Sequence, residues 1–212
     1  MLQAETLTLH HWLSPAFPTG AFAYSHGLEQ VIALGQVTEA AGLEYWLADV
    51  LRYGSGWQDC VLLACALREG ANLDALDATC HALQPCLERL QETQEQGAAF
   101  ARTVAQITAR DMPPRTLPIA VAEAAAPLGL PPQTVIAAYL QAFLTNLVTI
   151  GIRHIPLGQG EGHGVLARLL PLVPDLAQRA SLASPGDLGN CCLGADMAAM
   201  EHETKDIRLF RT

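Results

Sequence analysis

Lysine is nearly missing from this chain. Lys205 is the only copy among 212 residues, against eleven arginines, so Schiff-base chemistry has a single candidate far down the sequence. Aromatic residues are scarce at 6%, and valine and isoleucine reach only 10 and 8 copies where alanine and leucine reach 34 and 33. Strands favour β-branched and aromatic side chains, whereas helices favour Ala and Leu, so this scarcity argues against sheets and for an all-α fold. Positive charge is also short. The formal net charge of −9 repels phosphate backbones and excludes nucleic acid as an expected partner.

Several catalytic signatures are absent. No G-x-x-x-x-G-K-[ST] loop occurs, so a nucleoside triphosphate is not expected to bind through a P-loop. Neither a G-x-S-x-G elbow nor an H-E-x-x-H helix is present. The six cysteines (Cys60, Cys65, Cys80, Cys86, Cys191 and Cys192) form no C-x-x-C pair. No basic n-region with an apolar h-region opens the chain, so the cysteines read as small hydrophobes in a reducing cytoplasm. Histidines 10, 11, 26, 81, 163 and 202, with Cys60, Cys80, Cys86, Cys191 and Cys192, could each ligate metal, but none of these residues falls at a recognised ligand spacing. The adjacent pairs Ser25-His26 and Cys80-His81 are weak signs of nucleophilic catalysis, because a nucleophile and its base usually meet across the fold.

The residues that are present spell helices. The pattern predicts helices over 39–52, 57–69, 73–84, 86–110, 119–127, 132–152, 164–172 and 187–203, after a short one within 1–13. Thr38 is placed to cap the helix from 39, and Ser184 with Asp187 resembles a helix start. Glycines at 158, 160, 162 and 164 read as a connecting loop. Residues 131–152 carry no charge and are long enough to cross a bilayer. A polar row of Gln141, Thr145 and Thr149, with Asn146 beside it, instead marks a central helix of a soluble bundle or a subunit interface. The expected architecture is one domain over residues 1–212, a bundle of about eight to ten helices. Residues 204–212 are expected as a flexible C-terminal tail.

Two segments invite a functional reading. Residues 17–29 set Phe17, Phe22 and Tyr24 beside Ser25, His26 and Glu29 in a glycine-punctuated loop. The tail places Leu209-Phe210 between Arg208 and Arg211, the composition of an interface anchor.

Four islands resemble a known family, the urease accessory protein UreF. L-S-P-A-F-P-T-G-A-F-A-Y-S-H-G-L-E, from Leu13 to Glu29, is similar to that family's S-P-x-x-P-x-G-x-F-x-Y-S-x-G-L-E signature. Trp57-Gln58-Asp59 resembles its acidic position at the start of an apolar helix. Tyr139, Asn146, Arg153 and Pro156 to Gln159 resemble its Y…N…R-x-x-P-L-G-Q segment. His202-Glu203 with Arg208 to Arg211 resembles its H-E-x-x-x-x-R-L-F-R-S ending. The chain departs from the pattern at Glu92 to Gly97, near His163, and at its last residue, Thr212.

The resemblance implies an all-α homodimer in the cytoplasm without catalytic residues or a cofactor of its own. It implies binding to a UreD-type (UreH-type) accessory protein, to the nickel-carrying GTPase UreG and to apo-urease, with nickel and GTP handled by those partners. The partner-binding residues it implies are Pro18, Gly20, Phe22, Tyr24, Ser25, His26, Glu29, Asp59, Arg153, Gln159, His202, Glu203, Arg208, Leu209, Phe210 and Arg211. A helical regulator that binds a metal or a small molecule is the alternative reading.

Overall fold

The structure, a computed structural model, describes residues 4–189 and 191–212. The first three residues of the expected opening helix and Asn190 lie outside that range. Eleven α-helices and three short 3-10 turns are present, and no strand occurs among the described residues. The helices are α1 (Ala4–Trp12), α2 (Leu28–Ala33), α3 (Ala40–Tyr53), α4 (Ser55–Ala66), α5 (Leu73–Ala82) and α6 (Leu87–Thr108). They continue with α7 (Leu117–Ala125), α8 (Pro132–His154), α9 (Gln159–Leu169), α10 (Leu172–Leu182) and α11 (Leu193–His202). The all-α expectation holds.

The most apolar segments lie innermost. In α4 every residue from Gln58 to Ala66 is buried, and α7 buries Pro118 to Ala122. The long helix α8, uncharged as far as Ile152, packs against α1, α2, α3, α4, α9 and α10. Its length and composition would allow a membrane crossing, but just over half of its most apolar stretch is covered by these neighbours. Thr145 and Thr149 return their hydroxyls to the carbonyls of Gln141 and Thr145, as expected for a polar row on a helix.

Three local expectations need correction. The glycines after Pro156 form no loop; they build the first turns of α9. Glu161 folds back to accept the Gly158 N–H at 2.9 Å. Gly162 must lack a side chain, because a Cβ there would overlap Ile152 of α8. The sequence pattern places no helix over 173–186, where most of α10 forms. Pro174 lies within the first turn, whose N–H groups need no helical partner. Thr38 does not cap α3: Glu39 holds that place without a side-chain bond, and Ser184 with Asp187 closes only a 3-10 turn before α11.

The tail is not a free extension. From Thr204 onward it has no helix, yet its backbone is tied to α2 and to residues 23–26 by hydrogen bonds. Three of the chain's twelve basic residues, Lys205, Arg208 and Arg211, sit in this stretch. They meet acidic groups of α2 and α6, which draws the segment down.

Close backbone contact fixes α6. A Cβ on Gly97 would overlap the Arg115 carbonyl and lie 2.6 Å from the Leu117 nitrogen, so α6 and the strand of chain entering α7 would have to part. Gly97→Ala is expected to lower the unfolding free energy by about 2–3 kcal/mol, measured by urea denaturation. Gly160→Ala meets open space in helical backbone and is expected to raise it by up to about 1 kcal/mol.

Candidate functional site

Two consecutive residues in the left-handed region shape the site's centre. His26 has φ 61 and Gly27 has φ 79, and together they turn the chain into α2. Gly27 has no room for more, since a Cβ would come 3.0 Å from the Ala199 nitrogen of α11. This turn buries Ser25, His26 and Glu29 side by side.

The Glu29 carboxylate is the point where the chain's ends meet. It accepts the Phe210 N–H at 2.9 Å and the Leu209 N–H at 3.1 Å. It also faces His202 Nε2 at 3.1 Å and Lys205 Nζ at 3.7 Å. Burial pushes its carboxyl upward, but donation from Phe210, His202 and Leu209 outweighs this and holds it below the ordinary carboxylate range. His202 is fully buried and turns its other nitrogen to Glu88 of α6 at 2.7 Å. The ring thus has a carboxylate on each side. Arg208 pairs with Glu88 as well, and the Glu203 carboxylate accepts the Glu88 N–H at 2.9 Å.

The strap from Lys205 to Thr212 runs on across α6. Arg211 pairs with Glu95 at 2.5 Å, donates to the Tyr24 hydroxyl at 3.2 Å and lies over the Tyr24 ring. Burial and the neighbouring Glu95 push the Tyr24 phenol up to about 12. The Thr212 hydroxyl donates to Glu92 at 3.0 Å and accepts the His26 N–H at 3.1 Å. Phe210 packs on the core with its ring 4.8 Å from that of His154, while Ile207 and Leu209 remain exposed.

Beneath the strap lies a second layer of buried charge. Glu92 bonds Arg89 and approaches His26 Nδ1 at 3.4 Å. Despite full burial, Arg89 and then His26 bring the Glu92 carboxyl down to about 2. Burial, with Arg89 nearby, brings His26 down to about 4, so the ring is neutral and its Nε2 is free to accept from the Ser55 hydroxyl. Asp59 accepts from the Tyr139 hydroxyl at 2.7 Å, and burial pushes its carboxyl up to about 6.

Ser25 and His26 form no catalytic pair, because the Ser25 hydroxyl bonds the Thr212 carbonyl oxygen. Ser55, His26 and Glu92 do follow the order hydroxyl, imidazole, carboxylate. The space beside Ser55 is about 10 Å³, room for one water and not for an acyl substrate. Among the described residues no three His, Cys, Asp or Glu side chains gather as a metal site.

Most residues singled out from the sequence therefore converge. Tyr24, Ser25, His26 and Glu29 meet His202, Glu203, Arg208, Leu209, Phe210 and Arg211 through α6. Asp59 joins them from below, and Arg153 lies over the Phe22 ring at 5.3 Å. Gly20, at φ 76, opens the 3-10 turn that carries Phe22. Pro18 and Gln159 are exposed. Sequence reasoning missed Glu88, Arg89, Glu92, Glu95 and Ser55. The i, i+4, i+7 row of Glu88, Glu92 and Glu95 was the available signal, an acidic stripe on one helical face.

Comparison with known proteins identifies the family. The sequence profile of the family described as UreF matches residues 37–170. A protein of Cereibacter sphaeroides (strain ATCC 17029 / ATH 2.4.9) named urease accessory protein UreF is 54% identical over 211 residues, covering 100% of both chains. Proteins of the same name from Paracoccus denitrificans and Ruegeria pomeroyi are 48% and 41% identical, covering 99% of this chain and 97% and 98% of their own. The chain belongs to the UreF family. Both halves of the strap cluster in this UreF-family chain, residues 13–29 and 202–212, lie outside the stretch that the profile matches, but inside the alignment with the Cereibacter protein.

The buried acid beneath the strap has a measurable sign. A folded value near 6 against an ordinary 3.8 means that the folded chain holds the Asp59 proton more tightly. Ionised Asp59 therefore costs stability above pH 6, and the cost fades as pH falls from 6 towards 4. Asp59→Asn, which keeps an acceptor for Tyr139, is expected to raise stability by about 1–3 kcal/mol at pH 7.5 and by little at pH 4. Urea denaturation of both proteins at the two pH values checks this.

Proposed function

We propose that this chain acts as a non-catalytic scaffold in the maturation of urease. The observation that carries the reading is the strap, which the body holds through Glu29, Glu88, Glu92 and Glu95 while Ile207 and Leu209 face outward. An ordered segment with exposed apolar side chains beside arginines has the make-up of a docking surface. The relatives' name, urease accessory protein, identifies the process in which such a surface would serve.

In this reading the strap and the turn at Tyr24 to Glu29 receive a UreD-type (UreH-type) accessory protein. A UreG-type GTPase then joins, and the assembly acts on apo-urease in the cytoplasm. GTP hydrolysis and nickel delivery fall to the partners, since the sequence has no phosphate loop. The scaffold regulates the GTPase by holding it in place. Homodimer formation belongs to the same proposal. The exposed row Leu193, Met197 and Met200 on α11 supplies apolar surface for another chain to cover.

The structure redirects the choice of mutations. Phe210 packs on its own body, so Phe210→Ala mixes loss of stability with loss of binding. Leu209→Ala combined with Ile207→Ala removes only exposed side chains. The double variant is expected to keep the parent's melting temperature and to weaken binding to a UreD-type partner by about 2 kcal/mol or more in a calorimetric titration. Unchanged affinity would remove the strap from the interface. The purified chain alone is expected to show no GTP turnover, checked by phosphate release.

A further inference from the structure

The N-terminal signature covers a cavity that the scaffold reading does not use. Its volume is about 110 Å³, and it lies between α1, α4, α6 and α8 under residues 13–22. Trp12, Phe17, Phe100 and Phe143 supply aromatic walls, with Phe17 and Phe100 at 5.4 Å centroid distance. Ser14, Pro15, Thr19 and Gly20 border it, and Pro15 and Gly20 are exposed, so the loop forms its entrance.

The interior is short of positive charge, although the polar side chains of Ser14, Thr19, Thr93 and Gln96 also line it. Asp59, Glu92, Arg89 and His26 are the groups there that carry or could carry charge. Arg89 is spent on Glu92. His26 is neutral at physiological pH, since burial brings it down to about 4. Asp59 then leaves the cavity with one net negative charge. Its side chain receives a single hydrogen bond among the described residues, from Tyr139. Asn146 on the same wall donates to the Ala21 carbonyl but has no donor for its own amide oxygen. Two acceptors short of donors, a surplus negative charge and aromatic walls are jointly satisfied by one kind of guest.

We propose that this cavity is a binding site for a compact organic cation bearing a guanidinium or primary ammonium group, which donates to Asp59 and Asn146 and stacks against the aromatic walls. The volume limits the guest. It is smaller than the roughly 150 Å³ cavity that holds benzene, so the bound group has on the order of five heavy atoms. Such a group can belong to a free small molecule or to an arginine side chain that a partner inserts past Gly20.

The test is a calorimetric titration of the full chain with methylguanidinium, against N-methylurea, which has the same shape without the charge. One-to-one binding of methylguanidinium at millimolar concentration is expected, at least about tenfold tighter than N-methylurea. Asp59→Asn is expected to erase that preference while the protein stays folded by circular dichroism. Ala142→Leu, which fills the cavity from α8, is expected to abolish binding of both compounds. Equal affinity for the two probes, absence of methylguanidinium binding, or binding that survives Ala142→Leu would overturn the site. Methylguanidinium added to a pull-down with a UreD-type partner separates the two sources. Release of the partner assigns the guest to a partner's arginine, and an undisturbed complex assigns it to a free cation. The calorimetry stands whether or not the scaffold reading does.

Discussion

Everything distinctive about this molecule turns on one buried carboxylate. Glu29 collects two backbone N–H groups, an imidazole and a lysine from residues more than 170 positions away. A carboxylate taken out of water costs several kcal/mol unless it is compensated by charged hydrogen bonds, and the strap supplies them. The dependence is mutual. Without the strap Glu29 would be left buried with His202 alone, and without Glu29 the strap's backbone would have no acceptor at Leu209 and Phe210. The two segments are thus joined by the need to satisfy a single charge.

Helix α6 extends this logic along its length. Its acidic row faces the strap at Glu88, Glu92 and Glu95, and the strap answers with Arg208, Thr212 and Arg211 respectively. These contacts are unequal. The Arg211–Glu95 pair is largely exposed, so water and salt screen it and it contributes little. The Glu92 contact is buried and hydrogen-bonded on several sides, so it fixes position. Specificity of docking therefore resides at the two buried acids, Glu29 and Glu92, with the outer arginines chiefly steering the approach.

Much of this was legible beforehand. The scarcity of β-branched residues fixed the fold class, and the motif islands picked out Tyr24 to Glu29 and His202 to Arg211 before any geometry was known. What could not be read was their meeting. A sequence shows Leu209-Phe210 as an apolar pair in search of cover, and the cover turns out to be largely the chain itself for Phe210 and solvent for Leu209. Local rules misread α9 and α10 for a related reason. Glycine and proline usually break helices, but Gly162 is needed for contact with Ile152 and Pro174 falls where no N–H is required. In both cases a tertiary or positional fact overrides the propensity.

The cavity and the strap are not independent features, because they share Glu92 and His26. Glu92 accepts from Thr212 on the strap side and borders the cavity on the other. His26 donates its backbone N–H to Thr212 and presents its ring to the cavity. Any group that changes the charge around Glu92 from one side changes how well it can hold the other. Linkage then requires any effect to be reciprocal: by whatever factor the docked strap changes the affinity for a cation beneath it, such a cation changes the docking of the strap by the same factor. The short route between the two, one carboxylate and one imidazole with no intervening side chain, makes this coupling a direct electrostatic matter. It needs no rearrangement of the helical body.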